Sequence, residues 1–451
     1  MTELWYRFNV FAEKQFFENK DLVDGMIIPA HVIAYYEMSF PEFIKSTNLP
    51  FIIDPVSYVW DIGGRFITNE NGELKKSYSK LVEKLDCKIG NLLGKYKLGN
   101  VAFQETDFHE FIECVLNFQL LNFCSKKPQR LNSIQRLKER IRLIEGQESV
   151  IEPKTAEPYA LIPPYFYFSR VGEEGYDRTL HAAKYAKSSK FANRRIFPCL
   201  CMNRSVLEQP QMLNKILDDF KDFTGIVFWI DSFDENSATL LELENLTKFV
   251  NALHLQGKEV INLYGGYFSL LLHYAGMSKM SCGICYSSQR NVFSEIGGGG
   301  LPVRYYEPYL KQKIMPDVML KLYSERPELF SCDCPICQNY SSICQSPKTA
   351  VSEKAIALKK FFVNEESCKN GDDKKEKCII DWESSRLHFL NHRKKEQEII
   401  NNSTLPVILD KLKKDKQKLT RYRFDPFVYG FQFETIDYLS NWPQAIESST
   451  G

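Results

Sequence analysis

Cys332-Asp333-Cys334-Pro335-Ile336-Cys337 places three thiols within six residues, and two histidines, His388 and His392, follow about fifty residues on. A Cys-x-Cys-x-x-Cys run gathers three soft sulfur donors around one small volume. A histidine returned by a later helix can complete a tetrahedron, the donor set of a structural zinc site. His388 lies in Arg386-Leu387-His388-Phe389-Leu390, a segment with helical rhythm, and His392 is one turn further along the same face. The expected set is Cys332, Cys334, Cys337 and His388, with His392 as the alternative fourth donor. Four protein ligands leave no open position, so such a metal holds structure and performs no chemistry. The competing readings are an inert cluster of buried thiols and an iron–sulfur or redox centre.

Working outward, the 451-residue chain has 44% hydrophobic residues and a formal net charge of +1. That supports a large core in one or two domains. Met1-Thr2-Glu3-Leu4 leads into a mixed polar and aromatic segment unlike a signal peptide, and no apolar run approaches twenty residues. Thirteen scattered cysteines, partly committed to metal, suit a reducing cytoplasm. The near-zero net charge confines any nucleic-acid-binding surface to a local patch.

Short apolar runs recur at Met26–His31, Pro50–Ile53, Pro164–Phe168, Arg195–Cys201, Gly225–Ile230, Lys258–Leu263, Ser281–Tyr286 and Leu301–Tyr305. Helical stretches separate several of them. One covers Leu207–Phe223, and another covers Ala238–Leu255 with Gly257 as its stop. Strands alternating with helices predict a parallel sheet, and eight of them suggest an α/β fold of the (β/α)8 TIM-barrel type. A doubly wound sheet is the alternative. The predicted organisation is a barrel over 1–330 with an insertion at about 60–160, which includes a hairpin near Phe66–Gly72. A zinc-binding subdomain with a charged loop (Glu353–Asp381) follows over 331–400, and a basic helical extension over 401–451.

In such barrels reactive groups lie just past the C-terminal ends of the strands. Asp54 follows Phe51-Ile52-Ile53, and Asp231 follows Ile226-Val227-Phe228-Trp229-Ile230. Two carboxylates from different strand ends suit nucleophile and acid/base work at a glycosidic carbon. Their bland alternatives are a turn before Pro55 and a helix cap. Tyr264, Gly265 and Gly266 end another strand, where missing side chains either admit a flat ring or simply permit a tight turn. Arg290 and Arg304 are candidate phosphate partners or surface ion pairs. His181 sits in a helix with basic neighbours and reads as structural.

Lys411, Lys413, Lys414, Lys416, Lys418, Arg421 and Arg423 crowd thirteen residues, and Tyr422, Phe424, Phe427 and Tyr429 are interleaved or follow. Cations among aromatics can grip phosphates and stack bases, and Arg393, Lys394 and Lys395 add charge at the same end. A solvated helix face is the alternative.

Taken together these residues resemble the tRNA-guanine transglycosylase superfamily, nearest to the branch that inserts 7-deazaguanine bases into DNA. The resemblance covers roughly 25–400 and is firmest at Cys332, Cys334 and Cys337 with His388. It implies structural zinc, a (β/α)8 barrel, DNA or tRNA as partner and a 7-deazaguanine-type base as co-substrate. It also implies a covalent sugar–aspartate intermediate, with homodimers known among members. Asp54 matches the acid/base. The family's nucleophile falls in a segment resembling Ser281–Arg290, which contains no aspartate here. Asp231 then either recognises the base or has taken the nucleophile's place. A relative with altered catalysis, serving as a subunit of a modification or defence complex, is the second functional reading. A zinc-stapled barrel acting on small molecules is the third.

Overall fold

The computed structural model describes residues 1–8, 18–36, 40–63, 67–85, 105–121, 156–283, 289–293, 304–315, 318, 332, 334–337, 382–421 and 436–450. The main sheet consists of β1 (Glu3–Arg7), β2 (Gly25–Pro29), β3 (Phe51–Asp54), β4 (Tyr167–Phe168), β5 (Cys199–Met202), β6 (Gly225–Ile230), β7 (Glu259–Asn262) and β8 (Lys279–Cys282). The helices are α1 (Ala30–Tyr35), α2 (Phe40–Thr47), α3 (Tyr58–Ile62), α4 (Lys76–Leu85), α5 (Glu105–Leu121), α6 (Glu174–Ser188), α7 (Pro210–Asp219), α8 (Leu240–Leu255), α9 (Tyr267–Leu271), α10 (Trp382–Asn402), α11 (Leu405–Arg421) and α12 (Tyr438–Thr450).

All eight strands pair in parallel, in the order β3-β2-β1-β8-β7-β6-β5-β4. Read from β4, this is chain order carried around through β8 to β1. A doubly wound sheet would reverse direction at a switch point, and this one does not. The sheet curls so far that residues of opposite ends meet. Tyr159, just ahead of β4, donates its N–H to Phe51 O on β3 at 2.7 Å. The Ser57 hydroxyl donates to Tyr165 O and accepts from Tyr165 N, both at 2.7 Å. The structure thus shows an eight-stranded, barrel-like parallel sheet, with these contacts bridging the seam where β3 and β4 share no ladder.

The strand count agrees with the sequence reading, but the membership differs. β1 was absent from the predicted strands. Leu301–Tyr305 was expected as the last one. Instead Tyr305–Glu307 (β9) pairs antiparallel with Gln312–Ile314 (β10) as a hairpin outside the sheet. The helix expected over Ala238–Leu255 is α8, opened by a Thr239–Glu242 capping box. Gly257 adopts φ +73° beyond its end, as a helix stop requires. A turn at Asn69–Gly72 closes the expected hairpin, with Thr68 bridged to Leu74. Phe66 lies outside the described residues.

Aromatic side chains fill the N-terminal end of the curled sheet. Trp5, Tyr159 and Phe197 meet edge-on, with ring centroids 5.6 and 6.3 Å apart. Glycines make the room. A Cβ on Gly25 would sit 2.4 Å from Trp5, and one on Gly225 would sit 2.3 Å from Phe197. Gly225→Ala should therefore destabilise the protein by about 1–3 kcal/mol through overpacking. Urea denaturation of the variant measures this, and a loss below about 0.5 kcal/mol would contradict the account.

Candidate functional site: a Cys/His centre and the strand-end cluster

The predicted metal ligands come together. His388 and His392 stand one turn apart on α10, so both imidazoles reach the same side. Sγ of Cys334, Cys337 and Cys332 lie 3.2, 3.4 and 3.9 Å from His388 Nδ1. Cys332 Sγ is 2.9 Å from His392 Nε2. Donor atoms of Cys332, Cys334, His388 and His392 all fall within 4.8 Å of one another. Around a tetrahedral ion with bonds of about 2.0–2.3 Å, ligand atoms stand roughly 3.5 Å apart, which these distances bracket. The arrangement is compatible with a metal ion such as zinc.

The surroundings prepare this centre. His388 is fully buried, and its Nε2 lies 2.7 Å from Tyr306 O. A carbonyl only accepts, so Nε2 carries the proton and Nδ1 turns its lone pair to the sulfurs. Tyr305 stacks on the same ring at 4.2 Å. Backbone N–H groups of Cys334 and Cys337 donate to Cys332 Sγ at 3.4 Å and Cys334 Sγ at 3.3 Å, which favours thiolate. Thiols this close cannot keep ordinary protonation states. Hydrogen bonds from Cys332 and Cys337 pull Cys334 down, while the same sharing pushes Cys332 and Cys337 up. Five donors surround four positions. The predicted set with Cys337 and the set with His392 share Cys332, Cys334 and His388.

β9 ties this centre to a buried polar layer. Tyr306 Oη donates to Glu396 at 2.8 Å, and Glu396 also pairs with Lys311 at 3.2 Å and Arg393 at 3.4 Å. Arg393 is only 3% exposed, so it does not belong to a basic surface as the sequence suggested. Burial raises Glu307 to a pKa of about 8, against a hydrogen bond from Leu310 N–H. The folded state therefore keeps a proton that the unfolded chain loses above about pH 4.5, and stability falls as pH rises from there through about 8. The loss should be roughly 2–4 kcal/mol. Glu307→Gln should flatten that slope in urea melts at pH 5.5 and 8.5, and an unchanged slope would refute it.

Asp54 and Asp231 both occupy C-terminal strand ends, as expected. Asp54 is fully buried and saturated. Arg7 Nη2 pairs with Oδ2 at 2.8 Å, while Tyr165 Oη and Val56 N donate to Oδ1 at 2.8 and 2.9 Å. Val56 holds φ +51°, a strained value for a β-branched residue. Asp231 is bridged to Arg290, its Oδ1 accepting from Val292 N at 2.6 Å and Ser232 Oγ at 3.1 Å. Its Oδ2 has no hydrogen-bond partner among the described residues, and the residue is 6% exposed. Ser232 follows at φ +54°.

Tyr264 belongs to the same cluster. The Arg7 guanidinium lies 4.5 Å over its ring, and Trp229 meets it edge-on at 5.2 Å. Tyr58 approaches Trp229 at 5.1 Å and Tyr165 at 5.8 Å. Burial opposes the Arg7 charge, but Tyr264, Asp54 and Tyr165 outweigh it and raise its pKa. Arg7, Tyr165 and Trp229 escaped the sequence reading. The one signal available was that Arg7 ends a short run, Leu4-Trp5-Tyr6, that could have been taken for a strand.

Gly265 and Gly266 turn out to accommodate the protein itself. Their missing Cβ atoms would sit 2.6 Å from Ser269 Cβ and 2.5 Å from Glu235 Oε2. The buried Glu235 carboxylate accepts from Gly266 N, Phe268 N and Ser269 N at 2.8, 2.7 and 3.1 Å, and from Ser269 Oγ. No flat ring approaches the backbone through that space. Arg304 lies against α10, its carbonyl accepting from Ser385 Oγ. His181 Nε2 is 2.8 Å from His109 Nε2, in keeping with a structural role.

The basic helix is partly spent. Lys414 pairs with Asp410 at 2.5 Å, Lys416 with Asp437 at 2.9 Å, and Lys418 sits 4.3 Å over Tyr309. Lys394 pairs with Asp24 at 2.9 Å. Lys413, Lys414 and Arg421 remain exposed, whereas Lys411 is half-buried. Tyr422, Arg423, Phe424, Phe427 and Tyr429 lie outside the described residues. No helix among the described residues is long and apolar enough to cross a membrane. No family model, curated protein or solved structure matches this chain.

Proposed function

We propose that the chain is a closed (β/α)8 barrel, stapled by zinc, that exchanges a base in DNA or tRNA for a 7-deazaguanine-type base. The observation that carries this reading is the position of Asp231. Arg290 and Val292, at the end of the segment after β8 where the resembling family carries its nucleophile, lie against Asp231 through a backbone bridge and the Val292 N–H. Asp231, one residue past β6, supplies in this reading the carboxylate that Ser281–Arg290 lacks. Asp231 Oδ2 attacks C1′ of the sugar as the C1′–N bond breaks. The departing base keeps the bonding pair and takes up a proton from solvent. The incoming base loses a proton to solvent, attacks C1′ and releases the carboxylate. Asp54 holds Arg7 and Tyr165 at the reacting end. Zinc holds α10 to β9 and takes no part in the chemistry. Lys413, Lys414 and Arg421 supply salt-sensitive contacts to the polymer.

The test is incorporation of a labelled 7-deazaguanine base into DNA or tRNA. Asp231→Asn is expected to abolish it while zinc content stays unchanged. Saturation of both Asp54 oxygens favours the second reading, a nucleic-acid-binding relative with altered catalysis. That reading predicts polymer binding with no incorporation by the unaltered protein.

A further inference from the structure

Buried polar groups are satisfied with care in much of this fold. Lys258 Nζ donates to the carbonyls of Phe220, Lys221 and Phe223 at 2.9, 2.6 and 2.7 Å. Gln119 uses both ends of its amide on Ile162, at 2.7 and 3.0 Å. Against that background, Arg7 Nη1, Trp229 Nε1 and Arg290 Nε are buried donors with no acceptor among the described residues. Other such atoms, on Gln312, Arg393 and Gln397, belong to the β9–β10 hairpin and α10. The first three gather around one group of rings, with Arg7 and Trp229 both against Tyr264. Arg290 acts electrostatically on Tyr58 and Tyr264.

We propose that the strand-end cluster binds a phosphate group through Arg7 Nη1, Arg290 Nε and Trp229 Nε1. Each buried donor left without an acceptor is a desolvation cost with nothing in return, and a larger one when it is charged. Three such costs in one place are offset when a single ligand accepts from all three. Two are guanidinium donors, which suit a tetrahedral oxyanion. The two guanidinium groups also repel one another, and an anion between them relieves that repulsion. Asp54 offsets only Arg7, and Arg290 has no ion pair with a carboxylate among the described residues. His31 Nδ1 is a further orphaned atom, on the helix after β2. Burial lowers His31 to a pKa of about 4, so it stays neutral and adds no charge.

The proposal rests on reading this cluster as the substrate site, but it draws on the donors rather than the carboxylates. The phosphate belongs either to a free or mononucleotide ligand or to a polymer backbone. Calorimetric titration of the full chain with inorganic phosphate, a nucleoside 5′-monophosphate and a short single-stranded oligonucleotide separates these sources. At least one should bind. Arg290→Gln should weaken that binding about tenfold or more, the effect of losing a charged hydrogen-bond donor. Trp229→Phe, which removes one N–H and keeps most of the ring, should weaken it by about fivefold. Far-UV circular dichroism should stay unchanged in both. No binding of any probe, or unaltered binding by Arg290→Gln, overturns the proposal. Base incorporation without Arg290-dependent binding would sink this inference alone. Arg290-dependent binding without incorporation would sink the exchange reading alone.

Discussion

Replacing Cys334 by serine should strip the protein of its metal and lower its stability by more than about 4 kcal/mol, the range reached when a structural ion is lost. Cys334 is the best-buried of the three sulfurs and belongs to both donor sets. The loss should be local first. α10 is held to β9 through His388 and Tyr306, and to the barrel-like sheet through Gln397 and Asn401, which donate to Thr2 O at 2.8 and 3.0 Å. Hydrogen exchange along α10 should therefore accelerate before exchange in β5–β8 does. Metal analysis of the purified protein should give about one zinc per chain, falling close to none in Cys334→Ser. Cys337→Ala and His392→Ala then divide the two donor sets, because the spare donor is the one whose removal leaves zinc bound. Full zinc retention by Cys334→Ser would end the account of this centre.

Arg7→Ala should cost about 3–5 kcal/mol, because it leaves the Asp54 carboxylate buried without its counter-ion. The pair links β1 to β3 and stands beside Tyr264 of the β7 end, so its loss should loosen several strand ends together. Arg7→Met combined with Asp54→Leu should recover most of that stability, since replacing both charges removes the uncompensated one. Urea denaturation of the single and double variants provides the test. A cost below about 1 kcal/mol for Arg7→Ala would mean that water, rather than Arg7, solvates Asp54. The double variant should remain inactive even where stable.

Much of the framework was legible because burial on both faces makes parallel strands read as apolar runs. β2, β3, β6 and β7 were found that way. β1 was missed because Glu3 and Arg7 bracket only three apolar residues. Arg7 is a polar group turned into the interior of the curled sheet, which no periodicity announces. Tyr305-Tyr306 passed for a barrel strand, but they pair with antiparallel partners nine and seven residues away. Gly265 and Gly266 signalled a close approach correctly. The occupants were Ser269 at Gly265 and, at Gly266, Glu235, about thirty residues earlier and invisible to local reading. Arg393 looked solvated by its neighbours in sequence, yet Glu396 and the rings of Tyr306 and Phe389 take it inside.

Sequence alone determined the α/β alternation, the three clustered thiols and the two aspartates at strand ends, since each depends on chemistry written in adjacent residues. Only the tertiary structure decided that five donors gather in the Cys/His cluster, that both Asp54 oxygens are engaged while Asp231 Oδ2 has no partner among the described residues, and that Arg7 and Trp229 meet at Tyr264. Those facts depend on which distant strands lie side by side. Parallel pairing sets that through hydrogen bonds between segments tens to hundreds of residues apart, and no local pattern encodes them.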